Sequence, residues 1–343
     1  MAEDERPDFD YSGRLVFNGL RRTVVNHDDP EDMREELLSD LREFSRGNPH
    51  DEKKGFRDLD LSSLVNGQGY VLESDLENLA SDLIDKEYVW ENYEGSENRE
   101  FVDNDGNTTS AWLRNTSNAY VYWDFPDYLL VQGSKDKVEK TLSRVNSSLG
   151  EEVKTEELDF DSDFFLWLVY RYVDDEVNVP GPISVRRLES SEVMGDQDDY
   201  GHRGRVEDSQ NIAKSLPIIV AILQEMDFQM IEGMFKVNGY DVTAEIKTSG
   251  RIHVKVAGDV DNAETQLKRA LIALFFVDEF VGLYTKWEQM DDTEKYPPFS
   301  FFDDLIGAAS ENNVELEFDL DDLIEDYEDK RGEDAEPSDF DNA

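Results

Sequence analysis

Apolar and polar positions along this chain follow two periods, and they alternate most cleanly over residues 209–290. Leu216, Ile218, Ile219, Val220, Ile222 and Leu223 form one apolar run, and the spacing around it predicts a helix over 215–226. Three strand-like runs follow at 228–237, 241–247 and 251–256, separated by Asn238-Gly239 and Ser249-Gly250. Both dipeptides let the backbone take positive φ at little cost, as a tight hairpin requires. Val242, Ala244 and Ile246 share one face by the two-residue period, and Ile252, Val254 and Val256 do the same. Asp261 then offers a helix N-cap with Glu264 three residues on, and Leu267, Ala270, Leu271 and Leu274 recur at helical spacing. The order is α-β-β-β-α with one buried sheet face.

The first half carries a related pattern. Residues 1–12 are acidic and without periodicity, and disorder is expected there. A strand is predicted over 14–25, and Pro30 after Asp28-Asp29 opens a helix to about residue 44. A polar break covers 47–54. A second helix is predicted over 74–84, then strand-like runs at 88–93, 110–114, 119–125 and 128–132, and a helix that starts after Gly133-Ser134. Sliding the sequence by 125 residues aligns Val131 with Val256, Gly133 with Gly258, Asp136 with Asp261 and Leu142 with Leu267. An internal duplication explains this, and so do the shared needs of two strand-Gly-helix junctions. The expected fold class is α+β: two α-β-β-β-α-like units over 13–155 and 156–298, joined by an apolar helix at 164–173. An acidic C-terminal segment follows over 299–343.

Charge changes the picture most. The chain of 343 residues has 81 acidic against 34 basic side chains, a net charge of −47. In dilute buffer such a chain repels itself, whereas about 1 M salt shortens the screening length to about 3 Å. Acids occur along every segment, and arginines (19) outnumber lysines (15). This composition resembles that of cytoplasmic proteins from salt-accumulating haloarchaea. With 38% apolar and 11% aromatic residues the chain can still bury a core. The N-terminus lacks an apolar signal core, and the longest apolar runs fall far short of the roughly 20 residues of a membrane span. A cytoplasmic protein with no membrane partner is expected. The absence of cysteine excludes disulfides and thiolate chemistry.

No phosphate-loop, dinucleotide, nucleophile-elbow or His-Glu-x-x-His motif is present. The four histidines, His27, His50, His202 and His253, are dispersed. Asp159, Asp161 and Asp163 alternate, and Asn104, Asp105 and Asn107 lie in a polar loop. In so acidic a chain the default reading of each is a solvated face. No catalytic residue, metal ligand or cofactor is assigned.

Two groups of cations stand out. His202, Arg203 and Arg205, interleaved with Gly201 and Gly204, suit either an anion-holding loop or a mobile one answering nearby aspartates. On the predicted sheet Arg251, His253 and Lys255 project together, with Lys247 across the turn. The α-β-β-β-α order over about 60 residues resembles that of double-stranded-RNA-binding domains, which implies a nucleic-acid surface. Asp259, Val260 and Asp261 stand where that family carries a lysine-rich helix entry. Four phosphate contacts would also lose about 3.6 decades of affinity per tenfold rise in salt. The alternative covers these cations with the protein's own acidic segments or with a partner subunit.

Near the C-terminus Leu320, Leu323, Ile324 and Tyr327 fall at i, i+3, i+4 and i+7, one stripe of a short docking helix. Its expected seat is the chain's own basic sheet face, or else a partner's groove. Three function classes follow: a non-catalytic binding or assembly protein, a nucleic-acid-associated protein, and a magnesium-dependent hydrolase or phosphoryl-transfer enzyme. The first is preferred, with oligomerisation open.

Overall fold

The computed structural model describes residues 15–41, 44–45, 52–68, 71–94, 100–102, 104–110, 113–173, 179–195, 202–256, 266–311, 320–336 and 339. The chain is α+β. It divides into two compact units, the first holding Val16–Leu158 and the second Asp159 onward.

The first unit runs β1 (Leu15–Val25), α1 (Pro30–Asp40), β2 (Phe44–Ser45), β3 (Lys53–Asp58), α2 (Leu61–Gln68), α3 (Ser74–Asp82), β4 (Ile84–Glu94), β5 (Glu100–Val102), β6 (Thr108–Ser110), β7 (Leu113–Asp124), β8 (Tyr128–Gln132), α4 (Lys135–Leu149) and β9 (Val153–Glu157). Its strands pair antiparallel in the order β9-β1-β8-β7-β4-β3-β2, with β5 and β6 forming a separate ladder. Asp29 caps α1 by accepting from the Glu31 amide, and Pro30 fills its first turn, where no backbone donor is needed. Leu37 and Leu38 of α1, and Val138, Leu142, Val145 and Leu149 of α4, bury onto Ala119, Val121 and Trp123 of β7 and Leu129 and Val131 of β8.

The second unit continues with α5 (Ser162–Val173), β10 (Ile183–Met194), β11 (Arg203–Val206), a 3₁₀ turn (Ile212–Lys214), α6 (Leu216–Leu223), β12 (Asp227–Val237), β13 (Tyr240–Lys247), β14 (Ile252–Lys255), α7 (Gln266–Glu288), α8 (Asp292–Lys295), α9 (Phe299–Glu311) and α10 (Asp321–Arg331). Its strands pair antiparallel as β11-β10-β12-β13-β14. The Asn-Gly turn forms as expected, with φ of 45° at Asn238 and 95° at Gly239, the pair of positive values that joins β12 to β13 without splaying them.

Several expectations change here. The apolar helix at 164–173 is not a connector: as α5 it buries Phe164 to Val169 inside the second unit, where Phe164 lies 5.6 Å from Phe280 and 5.5 Å from Trp287. β10 and β11 extend the three-stranded order to five strands. Within the acidic segment expected over 299–343, α9 buries Phe299, Phe301, Phe302, Leu305, Ile306 and Ala309. Each unit does contain a helix, a three-strand meander and a second helix: α3-β4-β7-β8-α4 and α6-β12-β13-β14-α7. The shared order by itself does not establish a duplication. The expected cap at Asp261 and Glu264, residues 1–12 and His50 lie outside the described residues.

Candidate functional site

On the second unit's sheet, Phe235, Val242, Ala244, Ile246, Ile252 and Val254 are buried against the helices. Their neighbours in sequence therefore point the other way. Glu232 pairs with Glu245 across β12 and β13, and Glu245 with His253 across β13 and β14. Lys255 stands opposite Thr243, and the Lys247 amide donates to the Arg251 carbonyl at 2.9 Å. Along β14, His253 and Lys255 alternate with the buried Ile252 and Val254, and Arg251 precedes the strand.

The carboxylates among them were not anticipated. Arg251 Nε lies 2.6 Å from His253 Nε2, and His253 Nδ1 lies 3.5 Å from Glu245 Oε1. His253 is buried, whereas Lys255 is exposed. Arg203 and Arg205 sit on edge strand β11 rather than in a mobile loop, because β11 pairs with β10 through Met194 to Ser191. Arg203 Nη2 reaches Glu192 Oε1 at 2.7 Å, and Arg205 Nη2 reaches Glu207 Oε1 at 2.7 Å. The hydrogen bond from Arg203 holds Glu192 below the usual carboxylate range, with Lys247 and Arg205 adding to the field. Glu192 thus gathers three of the cations that sequence reasoning had treated as two separate groups. The His202 carbonyl accepts from the Gly195 amide at 3.0 Å and closes the base of the β10–β11 connection.

Helix α10 forms where the stripe of apolar residues predicted it. Leu323 and Tyr327 are buried, while Leu320 and Ile324 are half-buried. Its seat differs from the expected one. Tyr327 packs edge-on against Phe302 of α9 (4.7 Å between centroids) and near Tyr296 (6.4 Å). Lys330 Nζ lies 3.1 Å from Asp163 of α5 and 2.9 Å from Asp326. Arg331 donates to the carbonyls of Thr293 (3.1 Å) and Tyr296 (2.6 Å). The seat thus combines the rings of Phe302 and Tyr296 with the Thr293 and Tyr296 carbonyls that accept from Arg331. Burial raises the Asp163 pKa even though Lys330 opposes it.

A third feature went unread in the sequence. In the first unit a groove of about 590 Å³ lies between the β3–β4 pair and α4. Tyr88 and Trp90 come from one face of β4, and Lys54 faces Trp90 across the ladder. Lys140 Nζ stands 5.2 Å above the Trp90 ring, and Arg144 follows one turn later on α4. Trp90 Nε1 donates to Glu52, and this bond, ahead of Lys54, lowers the Glu52 pKa.

Among the described residues no group of three or more histidine or carboxylate side chains is placed to hold a metal ion, and no helix is long and apolar enough to cross a membrane. No family model and no curated protein matches the chain.

Proposed function

We propose that the chain is a non-catalytic binding or assembly protein of a salt-rich cytoplasm, and that the outer face of the second unit's sheet receives a protein partner. The observation that carries this reading is the gathering of cations around Glu192 and Glu245. A face of alternating sign offers donors and acceptors at fixed places. At multimolar salt, with screening lengths of about 3 Å or less, only charges in direct contact discriminate between partners. A nucleic-acid backbone would meet Glu192, Glu232 and Glu245 between the cations and be repelled by them, so the geometry favours protein over polyanion. The high acidity supports the salt-rich setting through the same screening argument.

The test uses a variant with Arg203, Arg205, Arg251 and Lys255 all changed to Gln. Wild type and variant are each cross-linked in a native extract at about 3 M KCl, and the products are identified by mass spectrometry. A partner captured stoichiometrically by the wild type and lost by the variant, at equal melting temperature, supports the reading. Loss of fold without a specific binding defect assigns the four side chains to internal charge pairing and rejects it.

A further inference from the structure

We propose that the groove on the first unit binds a nucleoside 5′-phosphate, its base stacked on Trp90 and its phosphate held by Lys140 and Arg144. This site is separate from the sheet face of the second unit and stands or falls without it. Three chemistries that such a ligand combines are all present. The aromatic wall comes from β4, whose two-residue period brings Tyr88 and Trp90 onto one face. The cations come from α4, where the four-residue spacing of Lys140 and Arg144 stacks them on one side, with Lys54 opposite on β3. Glu52 and Glu139 border the same groove and can accept from ribose hydroxyls or a base amino group, while Ser143 adds a hydroxyl beside the cations.

Charge and size agree with this assignment. Three cations (Lys54, Lys140, Arg144) against two carboxylates (Glu52, Glu139) leave the groove at +1 in a chain of −47. Its volume of about 590 Å³ leaves room for a mononucleotide, and the groove is shallow and open to solvent. Lys140 already uses the indole as a platform at 5.2 Å. Its side chain is exposed, so a base can take its place over the ring while the ammonium swings to the phosphate. Stacking also meets the salt problem. Phosphate contacts alone fade steeply as salt rises, whereas aromatic contact with a base does not depend on screening.

Titration calorimetry on the full chain at about 2 M KCl tests this with AMP, adenosine, ribose 5-phosphate and a short single-stranded oligonucleotide. Saturable AMP binding is expected, with adenosine and ribose 5-phosphate each weaker by about tenfold or more. Lys140→Gln and Arg144→Gln should each weaken AMP by about tenfold. Trp90→Phe should keep binding and Trp90→Leu abolish it. If Trp90→Leu lowers the melting temperature, exposed Lys140→Gln carries the test instead. Tighter binding of the oligonucleotide, with the same sensitivity to Lys140 and Trp90, places the nucleotide within a single strand. No saturable binding of AMP or oligonucleotide to the folded chain at millimolar ligand overturns the proposal. So does binding that is indifferent to both Lys140→Gln and Trp90→Leu.

Discussion

Replacing Asp85 with asparagine should stabilise the first unit at neutral pH. Asp85 is the second residue of β4, and its carboxylate accepts from the Leu61 amide at the start of α2. Burial raises its pKa from 3.8 to about 6; the Leu61 hydrogen bond opposes the rise, and nearby Asp60 adds to it. The folded state therefore holds this proton more tightly than the unfolded chain. As pH rises from about 4 to about 6, the folded carboxyl is forced to ionise in a half-buried, poorly hydrated place, and stability falls; above that window the cost is constant. At about 1.36 kcal/mol per pKa unit the ceiling is about 3 kcal/mol, and the side chain's partial exposure brings the expectation to about 1–3 kcal/mol. An asparagine amide keeps an acceptor for Leu61 and carries no charge. Urea denaturation of both proteins from pH 4 to 8, at fixed high salt, reads the difference. The stability gap should open in favour of Asp85→Asn between pH 4 and 7. A gap that stays constant with pH would show that Asp85 is not desolvated and would refute the reasoning.

Three further outcomes are expected. Tyr327→Ala removes a buried ring from between Phe302 and Tyr296 and costs up to about 3–5 kcal/mol, or the whole docking energy of α10 if that is smaller; faster hydrogen exchange at 321–331 reports it, and unchanged exchange contradicts it. Gly233→Ala would set a Cβ 2.4 Å from the Arg187 carbonyl oxygen, a backbone atom with little room to retreat, so a loss of about 1–3 kcal/mol is expected in chemical denaturation, and wild-type stability would contradict the packing. Circular dichroism across a KCl series should show loosening below about 1 M, and a sharp native melt in dilute buffer would remove the salt-rich setting.

The hairpins of the second unit were legible because alternation and turn chemistry agree over 228–256. β10 was not. Its register shifts between Val185 and Arg187, between Leu188 and Ser190, and between Glu192 and Val193, so no two-residue period survives along it. The Gly201–Arg205 stretch looked like a loop because Arg203, Gly204 and Arg205 carry no apolar alternation; on an edge strand only one side needs pairing. Acid-rich composition over 299–343 hid the buried face of α9. The stripe on α10 was visible, but its seat on Phe302 and Asp163 depends on long-range packing that periodicity does not encode. The groove was missed for the same reason: Trp90 and Lys140 are unremarkable in their own segments until β4 and α4 meet.

A protein partner seated on the outer sheet face of the second unit, as proposed, would slow amide exchange there. Hydrogen–deuterium exchange on the purified chain, with and without the partner recovered by cross-linking, tests it most directly. Slowed exchange at the amides of 203–206 and 251–255 on adding the partner, with the first unit unchanged, is the expected result. Protection confined to other segments, or none at these strands at saturating partner, would contradict it.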